Sequence, residues 1–477
     1  MPNNIFIGRS AEIALLQEAQ ITPRSEMIAV LGRRRVGKTF LIRQAYGAQF
    51  DFEMTGMQHT DTGPQLENFA KKLSQYSRAN LPVKTPGNWR EAFDLLQVLL
   101  LRSKRANKKL IFFDELPWLA PPKSGFLEAM GHFWNDWAVQ NHVIIVLCGS
   151  AASWMIQKVV HHKGSLHNRI TRIIHLQPFT LKETAIFFAS RNISLTHYQI
   201  VQLYMVTGGI PFYLDGIQKG KSVAQNIDRL CFTDHGLLRD EFDKLYASLF
   251  EKPDRHIRVI RALSSKWMGL TRAALVTQTK LTDGGSITRI LTELEQADFI
   301  TSIPPLDKKK KEMLYRLTDN FSLFYLKFME EKENDGEGSF IHLEKMQTWK
   351  IWCGYAFENI CFTHTKAIKS TLGIAAVYTK VSSYVRKGEE SRKGVQIDML
   401  IDRADGIVNL CEIKFYDAPF IITKKYAEDL RNKRATLREA VPKKSVFITL
   451  ITCFGVQGNA YATELVQNQI EIDSLFE

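Results

Sequence analysis

Two groups of residues in this 477-residue sequence have types and spacing suited to phosphate chemistry. The first is "GRRRVGKT", which satisfies G-x-x-x-x-G-K-[ST] at Gly32, Gly37, Lys38 and Thr39. Glycines let backbone N–H groups curl around phosphate oxygens, and the positive end of a following helix adds to the attraction. Lys38 would reach the β- and γ-phosphates of ATP, Thr39 would ligate Mg²⁺, and Arg35, Val36 and Phe40 are the loop neighbours expected to line the nucleotide. The pattern alone also arises by chance. Here the apolar run "MIAVLG" precedes it and the helix-like "FLIRQAYGAQ" follows, which is the context a phosphate loop requires. "LIFFDE" supplies a partner strand ending in Asp114, expected to hold Mg²⁺ through water, and Glu115, expected to orient or deprotonate the attacking water. Adjacent acids there imply hydrolysis, against the plainer reading of an exposed strand end. Ser150, which closes "VLCGS", would either sense a γ-phosphate or be a structural surface group. Arg169 in "HNRITRIIHLQPF" either contacts a phosphate, in cis or from a neighbouring subunit, or is a structural surface group.

The second group lies in "VQIDMLIDRADGIVNLCEIKF", residues 395–415. Residues two apart on a strand face the same side, so Glu412 and Lys414 point together. If the preceding strand returns antiparallel through "RADG", Asp398 comes beside Glu412. Two carboxylates on neighbouring strands suit a hard-oxygen Mg²⁺ site, and a lysine beside them can position water or neutralise developing phosphate charge. Glu358, in the helical "GYAFENICF", would complete the shell. The competing reading is a surface hairpin.

The elements that must position these residues are legible as periodicities. Apolar strands at 27–32, 50–57, 109–114, 143–149 and 172–176 alternate with helical patterns at 88–105 and 126–140, which predicts a parallel sheet covered on both faces. From 181 to 250 the pattern is helical, broken by "TGGIPFYL". Residues 251–329 read as three helices and a β-hairpin, the order of a winged helix-turn-helix. Its third helix sets one base, Arg289, against Glu293, Glu295 and Asp298, a poor phosphate partner. The basic run Lys308 to Lys311 lies in the wing, where it would grip a nucleic-acid backbone or simply form a solvated tip. A docking role in controlling the ATPase fits as well. An acidic stretch at 330–340 reads as a linker, and 341–477 as a smaller α/β unit.

Composition bounds the partners. Lys+Arg 63 against Asp+Glu 50 gives a net charge of +13, which favours polyanions such as DNA. The six cysteines are scattered without metal spacing, as in a reducing cytoplasm, and no apolar run approaches the roughly 20 residues that span a bilayer.

The ordered segments "FIGRSAEIALL", "GRRRVGKTFL", "FFDELPWL", "LCGSAASWM", "LQPFTLKE" and "GGIPFYL" resemble the archaeal-type P-loop ATPases of the AAA+/STAND branch, and the similarity runs on through "YRLTDNFSLFYLKFM". The resemblance implies adenine-side contacts for Gly8 and Arg9 and a lid contact from Pro211; by themselves these are a turn and a kink. Glu358, Asp398, Glu412 and Lys414 together resemble the PD-(D/E)xK restriction-endonuclease-like superfamily, a domain in which the resembled ATPases often end. The expected protein is therefore an α/β multidomain chain. It has a P-loop NTPase core (1–180), a helical lid (181–250), a winged helix (251–329), a linker (330–340) and a nuclease-like domain (341–477). Its expected function is ATP hydrolysis that controls a Mg²⁺-dependent DNA nuclease, in defence or mobile-element biology. The alternatives are a STAND-type signalling ATPase whose assembly into homo-oligomers is set by nucleotide, or a DNA-binding regulator with an inactive nuclease fold.

Overall fold

The computed structural model describes residues 7–77, 82–103, 105, 107–161, 164–306, 312–330, 336–386, 388 and 394–477. The chain forms two compact units, Met1–Pro178 with Ser248–Phe250 and Phe179–Ala247 with Glu251–Glu477.

In the first unit, strands β1 (Glu26–Leu31), β2 (Phe52–Thr55), β3 (Lys109–Asp114), β4 (Val143–Gly149) and β5 (Arg172–His175) form one sheet in the order β2-β3-β4-β1-β5. Every pairing is parallel. Parallel strands need crossovers, and the crossovers cover the sheet faces, so β1 and β4 are apolar and buried along their whole length. On one face Phe52, Phe69, Trp89, Phe93, Phe113 and Phe126 interlock, with Trp89 edge-on to Phe126 at 4.6 Å. Each such ring contributes about 1.5–3 kcal/mol by burial. This core anchors β3, and hence the acids at its end. The helix predicted over 126–140 stops at Asp136, because Trp137 leaves helical backbone (φ −133°) and a short 3₁₀ turn, Ala138–Gln140, takes over.

The second unit begins with helices that include Leu181–Ser190, His197–Thr207 and Val223–Cys231, each started by a reciprocal capping box, at Thr180, Thr196 and Ser222. Helices Pro253–Ser264, Arg272–Thr279 and Gly285–Gln296 follow. They accompany an antiparallel sheet of β6 (Leu270–Thr271), β7 (Ile300–Ile303) and β8 (Leu314–Leu317) in the order β6-β8-β7. The acids of the third helix are used internally: Glu293 meets His256 at 2.7 Å, and Glu295 accepts from the Ser302 N–H at 3.0 Å. Lys308 to Lys311 lie outside the described residues. So does part of the expected linker; its last residues are docked, with the Gly338 and Phe340 N–H groups each donating to the Asp228 carboxylate at 2.8 Å.

A mixed sheet completes this unit. Strands β9 (Thr379–Arg386), β10 (Val395–Arg403), β11 (Ile407–Lys414), β12 (Ser445–Thr452) and β13 (Val466–Glu471) lie in the order β13-β12-β11-β10-β9. β9, β10 and β11 are antiparallel neighbours, whereas β11, β12 and β13 run parallel through crossover helices Lys424–Ala440 and Ala460–Leu465. The β9–β10 register slips by one residue between Ile397 and Leu400, the stretch that holds Asp398 and Met399. Bulges bend a strand and re-aim its side chains.

Candidate functional site

The phosphate loop leaves β1 at Gly32, whose φ of +145° and close approach exclude a side chain: a Cβ there would stand 2.3 Å from the Leu176 carbonyl oxygen. Arg35 is left-handed, and Gly37 (φ +91°) caps the helix Lys38–Ala45. Lys38 is buried and its Nζ donates to the Gly32 and Arg33 carbonyls at 3.0 and 2.8 Å, closing the loop on itself. Val36 is buried and Phe40 exposed. Thr39 Oγ1 donates to Asp114 Oδ2 at 2.8 Å, which joins the first turn of the loop helix to the end of β3. A hydroxyl and a carboxylate so placed are hard oxygen donors, and they fit Mg²⁺. Glu115 is held in left-handed backbone (φ 46°), and its carboxylate accepts from the Ser150 N–H at 3.2 Å and the Ser150 hydroxyl at 2.8 Å. The ends of β3 and β4 are thereby bridged through the residue expected to activate water.

The remaining expected contacts are more dispersed. Gly8 and Arg9 form a left-handed pair before the helix Ser10–Ile21, and the buried Arg9 guanidinium donates to the Gln177 carbonyl. Arg169 is exposed in the turn before β5; no hydrogen bond from its side chain to the phosphate loop occurs among the described residues. Pro211 opens the short helix Pro211–Asp215 in the second unit.

In the C-terminal sheet, β10 and β11 pair with Met399 opposite Cys411, which sets Asp398 beside Glu412. Asp398 Oδ2 accepts from the Ile413 N–H at 3.1 Å, and Lys414 Nζ reaches Asp398 at 3.5 Å and Glu412 at 3.4 Å. Glu358 enters from the helix Gln347–Thr363 and pairs with the buried Arg316 of β8 at 3.2 Å. Burial pushes the Glu358 carboxyl up to about 7; Asp398 adds to this, and Arg316 and Lys414 oppose it. Burial likewise raises Glu412, with Asp398 adding and Lys414 and Lys433 opposing. Lys414 is raised despite burial, because Glu412, Asp398 and Glu358 surround it. The sequence-expected acids and lysine therefore share one buried cluster.

Three partners were not singled out from the sequence. Tyr426 donates to Glu412 Oε2 at 2.8 Å, Lys433 to Glu412 Oε1 at 2.8 Å, and Arg316 to Glu358. Tyr426 and Lys433 stand seven apart on the helix Lys424–Ala440, hence on one face, and this spacing was the available signal. Arg316, a charge inside the apolar "LYRL", was another. With these partners in place, Glu358, Asp398 and Glu412 face Arg316, Lys414 and Lys433. Among the described residues no three histidines, cysteines or acids are placed to hold a metal. In this arrangement the cluster does not fit a metal ion.

Residues 6–217 match the model of a family described as an ATPase domain predominantly from Archaea. The uncharacterized protein MJECL04 of Methanocaldococcus jannaschii is 23% identical over 433 residues, covering 90% of this chain and 92% of its own. Among solved structures, the Walker-type ATPase PABY2304 of Pyrococcus abyssi is 16% identical with a TM-score of 0.47, covering 67% of this chain and 96% of that one. The ORC2 protein of Aeropyrum pernix is 15% identical with a TM-score of 0.39, covering 68% and 94%. No helix among the described residues is long and apolar enough to cross a membrane. The N-terminal part of this chain is thus similar to ATPase domains found predominantly in Archaea.

Proposed function

We propose that the chain is an ATP-hydrolysing switch that governs a phosphodiester-cleaving site in its C-terminal α/β domain, with DNA as the polyanionic partner. The observation that carries the ATPase half is the link Lys38–loop, Thr39–Asp114, Glu115–Ser150. Lys38 exchanges loop carbonyls for phosphate oxygens, Thr39 and Asp114 hold the Mg²⁺ that accompanies ATP, and Glu115 takes the proton of the attacking water. Gly8, Arg9 and Pro211 are assigned to the nucleotide, and Arg169 to phosphate contact, on the resemblance alone. The cleavage half is supported by the convergence of Asp398, Glu412 and Lys414. Lys414 would orient water toward the scissile phosphate; Glu358, Asp398 and Glu412 would hold a divalent cation only once the cations now paired with them had moved away, and that cation would then supply charge for the phosphate. On this reading 251–329 is a winged helix, 341–477 is restriction-endonuclease-like, and the protein works in the cytoplasm in genome defence or mobile-element biology.

DNA cleavage by the full chain, with and without ATP and divalent metal, tests this against Asp398→Ala. Cleavage lost in Asp398→Ala supports it; ATPase activity with no cleavage under any condition removes the nuclease half. One observation favours a second reading: the cluster is already neutralised by its own cations. A STAND-type signalling ATPase with a silent nuclease fold would then assemble into homo-oligomers with ATP, and size-exclusion chromatography in ATP against ADP separates the two.

A further inference from the structure

We propose that Arg316 of β8 holds the place of a divalent cation in the C-terminal carboxylate cluster, so that β8 must release Glu358 before the cluster takes metal. This lock rests on the reading of the cluster as a cleavage site. The first argument is the geometry of the ion pair. Arg316 is 2% exposed, makes a single contact to Glu358 at 3.2 Å, and lies over the Phe362 ring with 4.9 Å to its centroid. Its buried Nε has no partner among the described residues. Strong arginine–carboxylate pairs are frequently bidentate, with both arms of the fork on the carboxylate. A singly bonded, partly unsatisfied buried pair contributes little stability over an apolar packing, and its best-attested use is as a switch or register device.

The second argument is charge. Arg316, Lys414 and Lys433 already lie against Glu358, Asp398 and Glu412, with Asp429 also 3.4 Å from Lys433, so a divalent ion entering this buried site would meet cations already paired with its ligands. One cation has to leave. Lys414 is built into β11 beside Glu412, and Lys433 lies on the helix that covers the same sheet. Arg316 alone comes from a different segment, the sheet β6-β8-β7.

The third argument is mechanical. The neighbouring residue pair is also tied, with Asn359 Nδ2 donating to the Leu317 carbonyl at 3.1 Å. Consecutive residues of β8 thus grip consecutive residues of the helix Gln347–Thr363. A displacement of β8 along that helix withdraws both grips together and leaves Glu358 beside Asp398 without its arginine. The segment expected to meet nucleic acid is then the segment that locks the cleavage site.

Titration calorimetry of Mn²⁺ into the nucleotide-free full chain tests the lock. Wild type, Arg316→Met and Arg316→Lys are compared, with Asp398→Ala reporting any Mn²⁺ bound elsewhere. Arg316→Met is expected to bind Mn²⁺ at least roughly tenfold more tightly than wild type, and Arg316→Lys, which keeps the charge but lacks the fork, to fall between. Mn²⁺ should also raise the melting temperature of Arg316→Met more than that of wild type, an effect erased by adding Glu358→Gln. Arg316→Lys decides the matter should Arg316→Met not fold. Equal Mn²⁺ affinity in wild type and both variants overturns the lock and leaves the cleavage reading standing. Mn²⁺ binding in none of them overturns the lock and the metal-dependent reading together.

Discussion

Lys38 donates to two carbonyls of its own loop, and a phosphate oxygen, being charged, outcompetes a carbonyl for the same ammonium. Lys38→Ala should therefore lower ATP turnover by roughly a hundredfold or more, read from phosphate release. Glu115→Gln should keep ATP binding and lose hydrolysis by about 10²–10⁴-fold. Ser150 decides a finer point, since its hydroxyl meets Glu115 at 2.8 Å. A hydrogen bond to a charged group contributes about 1.5–3 kcal/mol, so Ser150→Ala should cut kcat about tenfold or more with KM unchanged. A rise in KM instead would place Ser150 on the nucleotide. These residues are legible in the sequence because their spacing is local: a loop motif and two strand ends. Arg316, Tyr426 and Lys433 are not, because packing between segments far apart in the chain brings them to Glu358 and Glu412. A motif names the residues that do chemistry more readily than those that neutralise them.

At the level of elements, alternation along 395–415 is enough to foresee an antiparallel hairpin with Asp398 beside Glu412, and this register is the one observed. The register slip between Ile397 and Leu400 is not foreseeable, since an extra residue leaves the apolar pattern of "VQIDMLID" readable as plain alternation. Close approach is equally silent. Gly32 belongs to the motif for its backbone freedom, yet the nearer constraint is the Leu176 carbonyl at 2.3 Å from a built Cβ. Gly32→Ala should therefore displace β5 from the end of β1 and destabilise the first unit by about 1–3 kcal/mol, visible as a lower melting temperature. In the second unit, His364 ties the start of the helix Leu181–Ser190 to the end of Gln347–Thr363: Nδ1 meets the Ile360 carbonyl at 2.8 Å, and Nε2 accepts from the Leu181 N–H at 3.0 Å. Only the neutral ring satisfies both. Burial holds its pKa below the ordinary 6.5, and the Ile360 contact opposes this. A histidine depressed in the folded state stabilises above its unfolded pKa, and that contribution is lost as pH falls through the folded value. The melting temperature should accordingly drop below pH 6.5 in the wild type and drop less in His364→Gln, which keeps an acceptor that does not titrate. An unchanged pH slope in that variant would assign the effect elsewhere.

Over the whole molecule, periodicity finds the two α/β sheets and the helices between them, because each sheet is built from local repeats with their own apolar signature. Communication between a nucleotide site and a carboxylate cluster leaves no such signature. It is a free-energy difference between states, and it depends on which contacts each state makes. With a net charge of +13, any DNA binding would be a counterion-release process, so its affinity must be compared at fixed salt. Under that condition linkage supplies a strict test. If ATP changes DNA affinity by some factor, DNA must change ATP affinity by the same factor, commonly about 5–150-fold for coupled sites. We expect a non-hydrolysable ATP analogue and DNA to shift each other equally in wild type. The shift should vanish in Lys38→Ala, which removes the phosphate contact while leaving the C-terminal cluster intact. Asp398→Ala should retain it, because the coupling concerns binding and not cleavage. A factor of one in both directions would mean that the ATPase and the carboxylate cluster share a chain without sharing a switch, and the release of Arg316 would then have to answer to a different ligand.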